Sequence, residues 1–214
     1  MTDDTPQGEP LVELGASTVD YTYGGRFRML RTRYRFRRFD GTMSEPVTRI
    51  CFERGDSVGV LLYDPAADAV VLVRQFRYPV YESLGEAAHG PGARAAWILE
   101  IVAGVLDRGE TVADVANREL LEEAGYRIAG DLEPVAAAYA SPGGTSERIH
   151  IFLGRVDHTT PAGAGGGVAA EGEDIQVVAL PLADALAAIA DGRIADAKTI
   201  IALQHLALRK AGRG

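Results

Sequence analysis

Long hydrophobic runs are missing from this chain. No stretch approaches the ~18 consecutive apolar residues of a membrane-spanning helix, so no span is expected. Cysteine is almost missing as well. The single Cys51 excludes an internal disulfide, and within Arg49-Ile50-Cys51-Phe52 it reads as a small buried residue rather than a nucleophile. His89, His150, His158 and His205 are scattered without ligand spacing and read as structural. Positive charge is not in excess. Lys and Arg number 22 against 30 Asp and Glu, a net charge of −8, which argues against a general nucleic-acid binder. Residues 1–10 carry no basic start followed by an apolar run, so they read as a flexible tail and not as a secretory signal. These features together point to the cytoplasm.

What is present is an ordinary globular composition, 47% hydrophobic and 24% charged over 214 residues, enough for one sizeable core with elaborations. The charge is uneven. Arg26, Arg28, Arg31, Arg33, Arg35, Arg37 and Arg38 crowd one segment, while acids gather around 100–123 and 171–174. On charge alone, a solvated edge strand is the simpler reading of the arginines; a basic strand that meets a phosphate ester beside an acid pocket is the other.

Period-two alternation through 31–38, the Asp40-Gly41 turn and a strand from Val47 to Phe52 give an N-terminal β-region over 11–55. Residues 57–63 and 69–76, joined by a short Asp/Pro turn, read as an antiparallel hairpin. Residues 82–96, rich in Gly, Ala and Pro, read as a loop, and Trp97 to Ala103 as one strand. A helix is expected from Thr111 to Ala124, stopped by Gly125. Strands near 134–140, 149–156 and 175–180 and helices at 182–190 and 198–209 complete an α/β (α+β) pattern, with 56–210 as one domain.

The helix at 111–124 carries the chemistry. A turn of about 100° per residue from Val112 places Glu119 and Glu123 each within ~20° of it, so these carboxylates continue the apolar stripe. Inward-facing acids are costly. Desolvation disfavours their charge, the helix C-terminus opposes it, and Glu119 repels both Glu122 and Glu123. A hard divalent cation relieves all three costs, and oxygen-only ligands suit Mg²⁺ or Mn²⁺. Arg118 can neutralise Glu110 or Glu122. Acid pairs alone are more often solvent-facing; the spacing of the whole stretch decides against that here.

That spacing is Gly104, five residues, Glu110, seven residues, Arg118-Glu119, Leu120, one residue, Glu122-Glu123, one residue, Gly125. It resembles the Nudix box at every defining position, with Tyr126 where an aliphatic residue is usual. The resemblance implies the Nudix fold, a mixed β-sheet sandwiched between helices, and divalent-metal hydrolysis of a nucleoside diphosphate linked to another group. Trp97–Gly104, Ser141–Arg148 and Glu171–Ile175 are similar to segments of the bacterial ADP-ribose pyrophosphatases. Ala164–Val168 and Asp196–Thr199 lean towards the sister GDP-mannose pyrophosphatases.

The resemblance implies metal binding by Glu119, Glu122, Glu123 and the Ala103 carbonyl, with two or more Mg²⁺ (or Mn²⁺) per site. Glu171 or Glu173 would activate water, Glu171 being favoured and Glu173 serving as a further ligand or substitute base. Arg49 and Arg77, then Arg74 and Arg54, would hold the diphosphate. Phe27 aligns near the aromatic that stacks on the base, although a core phenylalanine is the preferred reading of it, and Glu147 would position ribose or Arg148. The expected substrate is ADP-ribose, with GDP-mannose or another nucleoside-diphosphate sugar as the alternative. A non-catalytic regulator that binds nucleotide sugar is disfavoured because the box glutamates are all kept. A homodimer with swapped N-terminal strands, in which Arg49 serves the neighbour's site, is also implied.

Overall fold

A computed structural model describes residues 11–24, 27–88, 90–107 and 109–212. The tail at 1–10, Arg26 and His89 lie outside the described residues. The chain divides into two units. One comprises residues 1–55 and 141–147, the other 56–140 and 148–214.

In the first unit, β1 (Val12–Tyr23), β2 (Phe27–Phe36) and β3 (Val47–Glu53) form an antiparallel sheet in the order β1-β2-β3. The Asp40-Gly41 signal marks a tight turn in which the Gly41 N–H donates to the Arg38 carbonyl at 3.0 Å. The 141–147 segment joins this unit through Phe52 N–H to the Gly144 carbonyl (2.8 Å) and Ser146 Oγ to Glu53 Oε2 (2.7 Å). Cys51 is only half-buried, against the buried expectation. The reason is that three strands cannot enclose a core on both faces.

The second unit is built on a mixed seven-stranded sheet. Its strands are β4 (Ser57–Asp64), β5 (Ala69–Phe76), β6 (Trp97–Glu100), β7 (Val102–Val105), β8 (Glu133–Tyr139), β9 (Arg148–Arg155) and β10 (Ile175–Pro181). The order is β10-β5-β4-β9-β8, with β6 on β5 and β7 on β4. Only the β4–β9 pairing is parallel among the described strands. β4 and β5 are buried runs rich in Val and Leu, as strands covered on both faces must be.

Alternation along those strands feeds two cores. Leu61, Val70, Leu72, Leu99 and Ile101 pack under α3 (Leu182–Ala190) and α4 (Ala197–Lys210). Val58, Val60, Leu62, Val71 and Val73 pack under α2 (Val112–Glu119). The sheet therefore holds α2 on one face and α3 and α4 on the other.

Three local readings change. Residues 97–103 are two strands, because the chain leaves β5 for β4 at Ile101. The 82–96 loop contains the end of helix α1 (Tyr78–Ser83) and short 3-10 turns at Gly85–Ala88 and Gly90–Ala96. The helix expected to Ala124 is α-helical to Glu119 and then widens into a π turn over Leu120–Ala124.

Candidate active site

Thr111 starts α2 with a reciprocal cap. Its Oγ1 accepts the Asp114 N–H at 3.2 Å, while Asp114 Oδ2 accepts the Thr111 N–H at 3.1 Å. Val115, Ala116 and Leu120 bury the apolar face and fix the rotation of the helix. That rotation carries Glu123 into the interior, where it is 3% exposed, and leaves Glu119 half-buried. The π turn ends at Gly125, whose φ of +76° suits glycine, and whose missing side chain leaves room for the Gly163 carbonyl. Tyr126 buries its ring in the α2 core and donates its hydroxyl to the His158 carbonyl at 2.7 Å, which explains how a tyrosine serves there.

Gly104 has a stricter duty. A Cβ there would lie 2.1 Å from Glu119 Oε1 and 2.4 Å from its Cδ. The Glu119 carboxylate thus rests directly on the backbone of β7. Beside it, the Ala103 N–H donates to Glu123 Oε2 at 3.3 Å.

The electrostatics follow from this crowding. Burial, reinforced by the Glu119 charge, pushes the Glu123 carboxyl up to about 8 against the pull of the Ala103 N–H and Arg77. Glu119 is also raised, again by burial first; Arg118 opposes the shift while Glu122 and Glu173 add to it. Arg118 reaches Glu119 at 2.8 Å, Glu122 at 3.4 Å and Glu110 at 3.7 Å, so it serves both expected partners and a third. Arg118 and Arg77 together do not offset the shifts of Glu119 and Glu123. The cluster offers acceptor oxygens with raised proton affinity and no nitrogen or sulfur donor, which is the donor set a hard divalent ion fits.

The glycines at 165–167 close off the end of the π turn. Gly166 N–H donates to the Glu123 carbonyl at 2.8 Å and Gly167 N–H to the Glu122 carbonyl at 2.9 Å. They take up the unpaired carbonyls at the end of the π turn, and Gly165 allows the close approach because its Cβ would lie 2.7 Å from the Ala124 carbonyl carbon. Glu173 is held by its Oε2 on the Val168 N–H at 2.9 Å. Glu171 sits exposed on the turn Ala169–Glu171.

Arg77 Nε donates to Glu100 Oε1 at 2.6 Å, and Glu123 and Asp196 also hold its guanidinium charged. Lys198 takes the other Glu100 oxygen at 2.5 Å. Glu100 is 1% exposed. Sequence reasoning missed its role, yet the signal was present: a lone glutamate in Ile98-Leu99-Glu100-Ile101-Val102 must find cations if it is buried. Arg74 is placed differently. It lies two residues beyond Leu72 on the same face of β5 and pairs with Leu99, so it faces the α3/α4 side, where it bonds Gln176 at 3.3 Å and lines a cavity of about 1040 Å³.

Among the described residues, Asp64, Asp157 and His158 also bring ligand atoms within 4.8 Å of one another. Turn capping accounts for them. Asp64 accepts the Ala66, Ala67 and His158 N–H groups and the His158 ring at 2.7 Å, and Asp157 accepts Thr159. The His158 ring, above all, holds the Asp64 carboxyl well below the usual range.

The remaining candidates belong to the first unit. Arg54 pairs with Glu147 at 3.6 Å and lies 5.9 Å from the centre of the Phe27 ring, which packs on Phe52. Arg49 is exposed and bonds only the adjacent Thr48 carbonyl among its described contacts.

Residues 53–203 match the NUDIX domain. The chain is 43% identical over 186 residues to the ADP-ribose pyrophosphatase of Escherichia coli (strain K12), covering 87% of this chain and 84% of that one. It is 42% identical over 161 residues to the GDP-mannose pyrophosphatase of Pectobacterium atrosepticum, covering 75% and 77%. A crystal structure of an ADP compounds hydrolase shares the fold, with a TM-score of 0.68, 19% identity and coverage of 98% and 100%. The box spacing, the α2 acids resting on β7 and the match over most of its length agree: this chain belongs to the NUDIX family.

Proposed function

We propose that this protein hydrolyses the diphosphate of ADP-ribose to AMP and ribose 5-phosphate with the help of two or more Mg²⁺ or Mn²⁺ ions. The observation that carries this reading is the Glu119–Glu123 pair, whose proton affinities are raised by burial first and by mutual repulsion, with Arg118 and Arg77 opposing the shift only in part. Glu119, Glu122, Glu123, Glu173 and the Ala103 carbonyl would hold the ions. When bound, they would neutralise the diphosphate oxygens and acidify a water.

The chain's own residues do the rest. Arg77 would hold the diphosphate in line for attack, with Glu100 fixing its Nε and leaving the terminal nitrogens to donate. Arg118 holds Glu119 and Glu122 in place through contacts of 2.8 and 3.4 Å. Glu171, free on its exposed turn, would take the proton from the attacking water. Glu173, already committed to Val168, is better suited to hold a cation. Water attacks one phosphorus, the bridging P–O bond breaks, and each product leaves with a phosphate.

The first unit would supply Arg49, Arg54, Phe27 and Glu147 to the nucleotide within a homodimer of exchanged N-terminal strands. The exposed β1, with Leu14 76% exposed and Val19, Tyr21 and Tyr23 also bare, supports a partner there. No described helix is long and apolar enough to cross a membrane, and the net charge of −8 keeps nucleic acid an unfavoured ligand. We place the protein in the cytoplasm.

A second reading, GDP-mannose, draws on the resemblance of Ala164–Val168 and Asp196–Thr199 to the GDP-mannose pyrophosphatases and on the 42% identity to one of them. Parallel assays with ADP-ribose and GDP-mannose in Mg²⁺, following AMP and GMP, decide between them. A kcat/KM at least tenfold higher for ADP-ribose is expected; a tenfold preference for GDP-mannose would overturn the first reading.

A further inference from the structure

The Asp196-Ala-Lys-Thr199 segment has a role in the structure that the functional reading above does not absorb. At Ile101 the chain passes from β5, which pairs with 97–100, to β4, which pairs with 102–105. Ile101 lies outside both ladders and is fully buried. A buried N–H without a partner is costly, so the switch needs an acceptor from elsewhere.

Thr199 supplies it. Its Oγ1 accepts the Ile101 N–H at 2.8 Å and donates to Asp196 Oδ2 at 2.6 Å. Thr199 is fully buried, and its own N–H is capped by the same Asp196 oxygen at 3.0 Å. The hydroxyl thus has a fixed direction, since Asp196 takes its proton and leaves a lone pair for Ile101. Lys198 bridges Asp196 at 3.1 Å and Glu100 at 2.5 Å, which ties the same turn to the residue before the switch.

We propose that Thr199 is a positioning residue for the reaction: by pinning the strand switch at Ile101 it sets Glu100, and through it Arg77, on one side, and the Ala103 backbone beside Glu123 on the other. The start of the C-terminal helix is then part of the active-site framework, although it carries none of the box residues. A slip at Ile101 moves both the guanidinium and the metal-facing backbone, because Glu100 and Ala103 flank it on one short segment. The kinetic part of this proposal rests on the pyrophosphatase reading; the backbone part does not.

The test uses Thr199→Val, which keeps the shape and removes the hydroxyl, and Thr199→Ser, which keeps the hydroxyl. Hydrogen exchange of the metal-free proteins reports on the Ile101 amide. In Thr199→Val this amide is expected to exchange at least about tenfold faster while the amides of α4 beyond its first turn keep their protection. The kcat on ADP-ribose should fall about 10- to 100-fold, as for other groups that orient metal-site ligands, with KM within about threefold, and Thr199→Ser should restore both readouts. If the valine variant does not fold, Thr199→Ala takes its place. Unchanged Ile101 exchange, or a kcat within twofold of the parent, overturns the proposal. Failure of the serine variant to restore exchange and kcat also overturns it. If the parent itself hydrolyses neither nucleotide sugar, the functional reading fails, and the exchange comparison still decides the role of Thr199 at the switch.

Discussion

Replacing Glu119 by glutamine is expected to lower kcat/KM for the nucleotide sugar by about 10³-fold or more, equivalent to ~4 kcal/mol in the barrier. The change keeps the side chain's length and removes its charge. Glutamine still fits against Gly104 and retains an oxygen for the Arg118 donor now at 2.8 Å. What it loses is an anionic ligand and half of the like-charge pair that raises Glu123. The metal-free fold should therefore be no less stable than the parent, so loss of activity would not stem from unfolding. Steady-state kinetics beside a thermal melt make the check. Activity within threefold of the parent would remove Glu119 from the site.

Gly104→Ala should reach a similar end by steric means. The new methyl carbon would lie 2.1, 2.3 and 2.4 Å from Glu119 Oε1, Cγ and Cδ. Those atoms end a flexible side chain, so the backbone need not move, but the carboxylate must swing off β7. A displacement of that size costs about 10²-fold in rate when the displaced group is placed for chemistry. We expect kcat to fall by about that factor with only a small change in melting temperature, because the core under α2 is untouched. A variant with parental kcat would show that the resting place of Glu119 on Gly104 has no bearing on turnover.

Much of this was open to reading from residues alone, for physical reasons that differ by element. The β4 and β5 runs and the turn between them follow from local pattern and turn chemistry. The inward set of Glu119 and Glu123 follows from helical periodicity, since the apolar stripe and the acids share one angle. The break at Ile101 does not follow, because nothing in Trp97–Ala103 is turn-like; it exists because β4 and β5 diverge and the chain must choose each in turn.

The π turn over Leu120–Ala124 is likewise set by partners, namely the Gly166 and Gly167 donors some forty positions on, roughly counted. The same donors hold Gly166 and Gly167 against that turn. Arg74 and Arg77 are equivalent as charges in sequence; strand register sets Arg74 on the α3/α4 side, whereas Arg77 lies past the end of β5 and is held by its ion pair with Glu100. Glu100 was legible in principle, as a charge with no polar neighbour.

The proposed metal role requires divalent cations to take the place of a proton on the Glu119–Glu123 pair. In the metal-free protein the Glu123 carboxyl is pushed up to about 8, by burial before all else. An unfolded glutamate titrates near ~4.3. Between those values the folded chain holds a proton that the unfolded chain has lost, so stability falls as pH rises through that window. Metal binding should expel the same proton. The direct measurement is calorimetric titration with Mg²⁺ at pH 7 in two buffers of different ionisation enthalpy. Roughly one proton released per protein is expected for the parent and close to none for Glu123→Gln. Mg²⁺ binding by the parent with no proton released, or with the same release from the glutamine variant, would contradict the account.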